Sequence, residues 1–335
     1  MSIFCRSGPC PRQISHITGR GHGPLLQGIY VYPGVMSTRI LFMKFALLII
    51  IFLVPALACA DIKVVDDAGR TVVLHQPAKR VISLSPHITE LLYAAGAGER
   101  VVGVVSFSDY PPQAKKLPLI GSNDKFDLEA IVSLKPDLIV AWQNGNPKSQ
   151  VEQLIKLGFK VYITEPREFE DIAKDIKQIG QLLGTQRIAD QAAANFSREL
   201  QDIRRQYAGR APVRVFYQVW NNPLFTVNGE HLISKVINLC GGVNVFSDLR
   251  VLSPQVSIES VIAKNPDVIF YGSHETREDW ALGWRQWKNI KAVANQHLFG
   301  IHADLIVRHT PRILQGAKQM CEALDQVRAS QAAVN

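Results

Sequence analysis

Residues 128–140 read LEAIVSLKPDLIV, and residues 258–270 read IESVIAKNPDVIF. They align without a gap at an offset of 130 residues, with Glu129 opposite Glu259, Pro136 opposite Pro266 and Asp137 opposite Asp267. Each copy predicts one unit. A short helix opens with an acid, where the helix dipole favours negative charge. A Pro-Asp turn follows, then a buried strand. The offset is far too long for a solenoid repeat and suits two similar α/β halves.

The sequence around both copies alternates short apolar strands with helices, as an α/β fold does. In the first half the pattern predicts strands at 81–85, 101–105, 137–141 and 160–163. Helices are predicted at 86–95, 128–134 and 148–157. Between about 168 and 207 there is no proline, and Ile172, Ile176, Ile179, Leu182 and Leu183 recur near a helical period. Gly184-Thr185 is the point where this long helix can break or kink. Alternation resumes at Arg214-Val215-Phe216-Tyr217. The fold class expected is therefore α/β, with two Rossmann-like lobes, residues 61–167 and 210–335, and an interlobe helix over 168–209. Ligands of open α/β sheets sit beyond the carboxyl ends of the strands. The two repeats run out into Trp142-Gln143-Asn144-Gly145-Asn146 and Tyr271-Gly272-Ser273-His274, and both tails are expected to face a cleft between the lobes.

The N-terminal 60 residues read differently. Met43-Lys44 precedes an apolar run over 45–57 that ends in Ala58-Cys59-Ala60. A basic start, a short apolar core and a small-residue exit make a secretory signal, expected over 43–60 with cleavage after Ala60. The rival reading makes Cys59 a lipidated first residue. Residues 1–42 show no structural period and are expected to be a non-native extension ahead of Met43. Residues 1–60 hold five of the 37 basic residues and none of the 29 acidic ones, so the remainder carries a net charge of only +3. That balance, with no basic cluster, argues against nucleic acid as a partner. Beyond the signal only Cys240 and Cys321 remain. In an oxidising compartment they can pair, or both can be buried thiols.

Several landmarks carry a family resemblance: Asp66-Asp67-Ala68-Gly69-Arg70, Arg80 to Pro86, Thr89-Glu90 and Leu134-Lys135-Pro136-Asp137. Over residues 66–327 the chain resembles the periplasmic binding proteins of cobalamin, haem and ferric-siderophore importers. It is most similar to the cobalamin-binding branch, through Ser106 to Pro112, Ala141-Trp142, Cys240-Gly241-Gly242, Pro254 to Ser257 and Arg308 to Leu314. The resemblance implies two lobes on a rigid helix with limited hinge motion, a Cys240–Cys321 disulfide, a monomer, and a corrinoid such as cobalamin carried as cargo. It implies no cofactor. Haem or a ferric siderophore is the alternative cargo.

The same resemblance assigns residues. Trp142, Phe225 and Phe107 stand at aromatic positions that grip the macrocycle, Phe107 replacing the usual tyrosine. Three other aromatic positions fall on Asn123, Val219 and Ser253, with Trp220 beside the second. Tyr110 belongs to the same cleft segment. Asp304 and Arg308 are placed to bond the ligand's polar arms, while a neighbouring acid appears here as Val307. Glu129 and Glu259 would dock, one per lobe, on the ABC-importer permease dimer at the inner membrane. The residue types alone read more plainly, as a core or loop tryptophan, an exposed ion pair and helix-start acids.

Seven histidines follow the signal: His75, His87, His231, His274, His297, His302 and His309. His302 and His309 flank the ligand-side turn. Their spacing lacks any metal-binding pair, so no metal site is expected. His274, Tyr271 and Tyr110 are the candidates for an axial bond to haem iron. No nucleophile elbow, phosphate loop or dinucleotide fingerprint occurs, which argues against catalysis. The alternative of another class is a metal-dependent enzyme on a two-lobed scaffold.

Overall fold

The structure is a computed structural model and describes Gly28, residues 61–273 and residues 280–334. Residues 59–335 form one unit, and the account below concerns it. The proposed leader and extension lie almost wholly outside the described residues, as does His274.

The first half runs β1 (Ile62–Val65), β2 (Thr71–Leu74), β3 (Val81–Ser83), α1 (Pro86–Ala94), β4 (Val101–Val104), β5 (Gly121–Ser122), β6 (Lys125–Phe126), α2 (Leu128–Ser133), β7 (Leu138–Trp142), α3 (Lys148–Lys156) and β8 (Val161–Thr164). Two helices follow, α4 (Phe169–Leu182) and α5 (Gln186–Tyr207). The second half runs β9 (Val213–Gln218), α6 (Leu232–Leu239), β10 (Gly242–Asn244), α7 (Ile258–Lys264), β11 (Val268–Ser273), α8 (Trp280–Trp284), α9 (Lys291–Ala294), β12 (Leu298–His302), α10 (Ala303–Ile306) and α11 (Ile313–Val334).

Each half holds one parallel four-stranded sheet, in the orders β4-β3-β7-β8 and β10-β9-β11-β12. Counted within its own half, each order is second, first, third, fourth. The duplication heard in the sequence is therefore a duplication of topology. Each sheet reverses its winding between the first and third strands, which is where an open sheet leaves a crevice at its carboxyl edge.

The repeated segment is reproduced down to its hydrogen bonds. Asp127 and Ser257 cap α2 and α7 by accepting from Ala130 N and Ser260 N. Lys135 and Asn265 both end their helices in the left-handed region, at φ 45° and 44°. The Asp137 carboxylate then accepts from Lys79 N and Arg80 N at 2.8 and 3.0 Å. The Asp267 carboxylate accepts from Arg214 N at 3.0 Å. In both halves the turn thus fastens the third strand to the start of the first, and both strands are buried. A strand covered on both faces must be apolar throughout, which is why each reads as an unbroken run.

The long stretch after β8 is two helices rather than one rod. Gly184 adopts φ +62°, which ends α4, and Thr185 starts α5. The two then pack closely, Gly180 lying where a side chain would collide with Ala189. α4 rests on α1 and β1, whereas α5, about 33 Å long at 1.5 Å per residue, touches α1, α6 and α11. One continuous core accordingly runs from Val81 and Leu91 through Ile176 and Ile203 to Val236 and Met320. The other face of each sheet has a separate core, around Ile82 and Ile139 in the first half and Phe216 and Ile269 in the second. Cys240 and Cys321 are joined by a disulfide that ties the end of α6 to α11.

Candidate functional site

The carboxyl edge of the first sheet meets the segment that leaves the carboxyl edge of the second. Residues after β3 and β4 touch residues 304–312, which follow β12. The seam between the halves therefore lies at the strand ends of both.

Trp142 closes β7, at the reversal point of the first sheet. Asn146 fixes it: its Oδ1 accepts from Trp142 N at 2.6 Å, and its Nδ2 donates to Leu84 O and Asn123 O. The indole lies over Gly145, where a Cβ would stand only 1.7 Å from ring carbon Cε3, so this position tolerates only glycine. The ring is half-buried, its Nε1 has no hydrogen-bond partner, and its edge meets the His87 imidazole at 5.1 Å.

Phe107 adopts φ 66° and leaves 78% of its surface exposed. An aromatic residue in that region costs about 1–3 kcal/mol, so the neighbours must impose it. They do: Phe107 O accepts from Asp109 N at 3.0 Å and from the Arg308 guanidinium at 3.1 Å. Tyr110 is part-exposed, with the Arg312 guanidinium stacked 3.8 Å above its ring. Phe225 and Trp220 form a second group, paired across a small antiparallel bridge. Trp220 Nε1 donates to Asn222 O, and its ring meets Trp280 edge-on.

Arg308 is the hub of the seam. It bonds Glu90 at 3.0 Å, Asp109 at 2.8 Å, Asp304 at 2.9 Å and Phe107 O at 3.1 Å. Glu90 is buried on α1 and also accepts from Thr310 Oγ1 and twice from Arg312. The first half thus supplies Glu90 and Asp109, and the second supplies both arginines. The expected Asp304–Arg308 pair is present, but its guanidinium is engaged largely with the opposite half. In the sequence Glu90 figures only as a landmark of the resemblance. A lone glutamate inside an apolar helix face, where it must find a cation, was the available signal.

Three imidazoles lie beside this hub. The rings of His87 and His309 are 6.2 Å apart, and those of His309 and His231 are 5.7 Å apart. Burial pushes His231 down to about 3 and His309 down to about 4, and holds His87 well below the usual histidine value. His231 and His309 keep some accessible surface, yet the dense protein around them makes desolvation the leading cause. No cluster of this kind among the described residues has the geometry to hold a metal ion.

Glu129 and Glu259 both stand exposed in the first turns of α2 and α7. Its own backbone N–H and the Ser257 hydroxyl hold the Glu259 carboxyl below its ordinary value. Tyr271 lies elsewhere, lining a concavity of about 900 Å³ with Arg285, Lys288 and Leu298 on the flank of the second sheet.

Residues 81–305 match the family described as periplasmic binding protein. The vitamin B12-binding protein of Vibrio cholerae serotype O1 is 42% identical over 249 residues, spanning 74% of this chain and 90% of its own length. That of Yersinia pestis is 40% identical over 250 residues, spanning 74% and 87%. The solved structure of the periplasmic vitamin B12-binding protein BtuF of Vibrio cholerae superposes with a TM-score of 0.71 at 42% identity, covering 75% of this chain and 98% of that one. The apo form of the periplasmic haem-binding protein RhuT from Roseiflexus sp. RS-1 gives 0.66 at 25% identity, covering 75% and 99%.

Proposed function

The chain belongs to the periplasmic binding protein family, and from that premise we propose that it captures a corrinoid, cobalamin first, and delivers it to an ABC importer. It is a binding protein and not an enzyme. The observation that carries the ligand reading is the placement of Trp142. A fixed indole stands at the reversal point of the first sheet, beside the seam, on a strand end where ligands of such sheets bind. A large flat ring there can cover a macrocycle face and bury much apolar area.

In this reading residues 61–167 and 210–335 are the two lobes, and residues 168–209 connect them. Phe107 and Tyr110 line the first-lobe rim, Phe225 and Trp220 the second. Asp304 and Arg308 meet the ligand's amide arms when the seam parts enough to admit them. Glu129 and Glu259 dock on the two-fold permease, whose symmetry a pseudo-symmetric monomer can match. Residues 43–60 direct export to the periplasm with cleavage after Ala60, and residues 1–42 are foreign to the mature protein.

Calorimetric titration of the purified protein with cyanocobalamin, cobinamide and haem in parallel tests the ligand. One-to-one saturable binding of the two corrinoids is expected. Saturable binding of haem with no corrinoid response would overturn the choice of cargo.

A further inference from the structure

The three imidazoles at the seam have no part in the reading above, and their surroundings resist an added proton: burial disfavours it at all three, and at His87 and His231 the local hydrogen bonding does so as well. His87 Nδ1 is bonded to Ser85 Oγ at 2.8 Å, and its buried Nε2 has no partner. His231 Nδ1 accepts from Ile233 N at 3.1 Å and so caps α6. Protonating that nitrogen would break the cap and set a positive charge against a helix N-terminus, where the dipole is already positive. The backbone of Pro166, in the link between β8 and α4, favours the protonated form of His309, but burial outweighs it. The His309 ring faces the other two.

The charges bearing on the stack are also positive: Arg308 on His87, and Arg167 on His231. The acids on the same elements are paired elsewhere. Glu90 holds Arg308 and Arg312, Asp109 and Asp304 hold Arg308, Glu165 pairs with Arg167, and Glu168 pairs with Lys235. Glu230, beside His231, is exposed. None of the three rings makes an ion pair with a carboxylate among the described residues. The stack also crosses the seam, with His87 from the first half and His231 and His309 from the second.

We infer that the His87–His309–His231 stack is a proton-operated release for the cleft, holding the halves together while neutral and parting them as it takes up protons. The sign follows from linkage. An imidazole released into water titrates near 6.5, whereas in the closed seam it resists protonation. The closed form therefore has its full advantage above about pH 6.5 and loses it progressively as pH falls below that value. Each imidazole freed on opening weakens closure about tenfold one pH unit below 6.5.

The inference rests on a ligand in this cleft only for its consequence, and a ligand-free measurement separates the two. Spin labels are placed at exposed sites on either half through Lys116→Cys and Arg250→Cys, and the interlabel distance is followed from pH 7.5 to 5.0. A longer distance is expected to appear in the otherwise wild-type protein below pH 6.5. It is expected to shrink to the share that His87 alone supplies when His231→Asn, which keeps the cap, is combined with His309→Gln, which keeps a donor amide at that position. Should that double variant not fold, His231→Asn alone is expected to cut the pH response about tenfold. A distance that ignores pH, or one that responds equally in the histidine variants, overturns the inference. In parallel, the cyanocobalamin Kd of wild type is expected to rise at least tenfold between pH 7.5 and 5.5. No cyanocobalamin binding at any pH, with the distance still responding, would sink the cargo and leave the release intact.

Discussion

Residues 128–140 and 258–270 fold into the same helix, the same left-handed stop and the same aspartate clasp, yet they leave that unit in opposite ways. The first exits through Trp142, pinned by Asn146 and seated on Gly145. At the same offset the second has Gly272, with no side chain at all. The scaffold is duplicated and the two strand ends are not. Backbone hydrogen bonds and burial constrain the repeated unit in both halves, since any buried unpaired group costs about 1–3 kcal/mol. The strand end beyond it carries no such obligation and is free to differ.

The largest expected effect tests how the unlike halves are held together. Glu90 comes from the first half alone and meets both arginines of the second. Glu90→Ala removes the carboxylate partner of Arg312 and one of three held by Arg308, and removing one partner of a buried pair costs about 3–5 kcal/mol. Urea unfolding should show a loss of that size, with Glu90→Gln losing less. A loss under about 1 kcal/mol would mean that the shared core, not the ion-pair hub, fixes the halves. Next in size is a staple that only the second half possesses. The Cys240–Cys321 bond spans 81 residues, and loop entropy gives such a closure about 4–5 kcal/mol, of which engineered removals commonly register 2–5. Replacing both cysteines by serine should lower stability in that range. Hydrogen exchange should quicken in α6 and α11 while the first sheet keeps its protection.

The duplication was legible because it is local. Propensity, the Pro-Asp turn and the unbroken apolar runs of β7 and β11 are written in contiguous residues; β7 falls within a residue of its expected bounds, while β11 runs past the repeat to Ser273. The pairing of Cys240 with Cys321 was open to sequence reasoning because only two thiols remain beyond the signal. The seam was not legible in the same way. His87, His231 and His309 are separated by 144 and 78 positions, and no period or spacing rule brings such residues together. Arg308 was singled out for the ligand, but its partners Glu90 and Asp109 lie about 200 positions away, and only the packing of the two halves reveals them. The break at Gly184 is a possibility that the sequence itself offers. The close approach of Gly180 to Ala189, which makes the hairpin compact, follows from tertiary contact alone.

Trp142 and Gly272 sharpen the comparison directly. Trp142→Ala is expected to weaken cyanocobalamin binding by about 10- to 100-fold, the range for removing a central aromatic anchor. Gly272→Ala is expected to change affinity and stability little, because its new Cβ would meet Ala303 at an ordinary 3.4 Å. Equal losses at the two positions, measured by calorimetry, would show that the two strand ends contribute alike.

The smallest effects on the molecule itself should come from Glu129 and Glu259, where the halves are most alike. Both carboxylates are exposed at equivalent helix starts. Neither makes an ion pair among the described residues, so Glu129→Ala and Glu259→Ala should each lower the urea midpoint only slightly, through the lost helix-start charge, and leave the ligand affinity in place. What should change is docking. If the two acids are equivalent contacts on a two-fold partner, each substitution weakens binding to the permease in reconstituted vesicles by a similar factor, and the double substitution weakens it by more than either alone. The salt dependence of docking should fall as well, since screening acts on the exposed charges that the substitutions remove. A loss confined to one acid would break the symmetry argument at the outer surface, just as Trp142 breaks it at the seam.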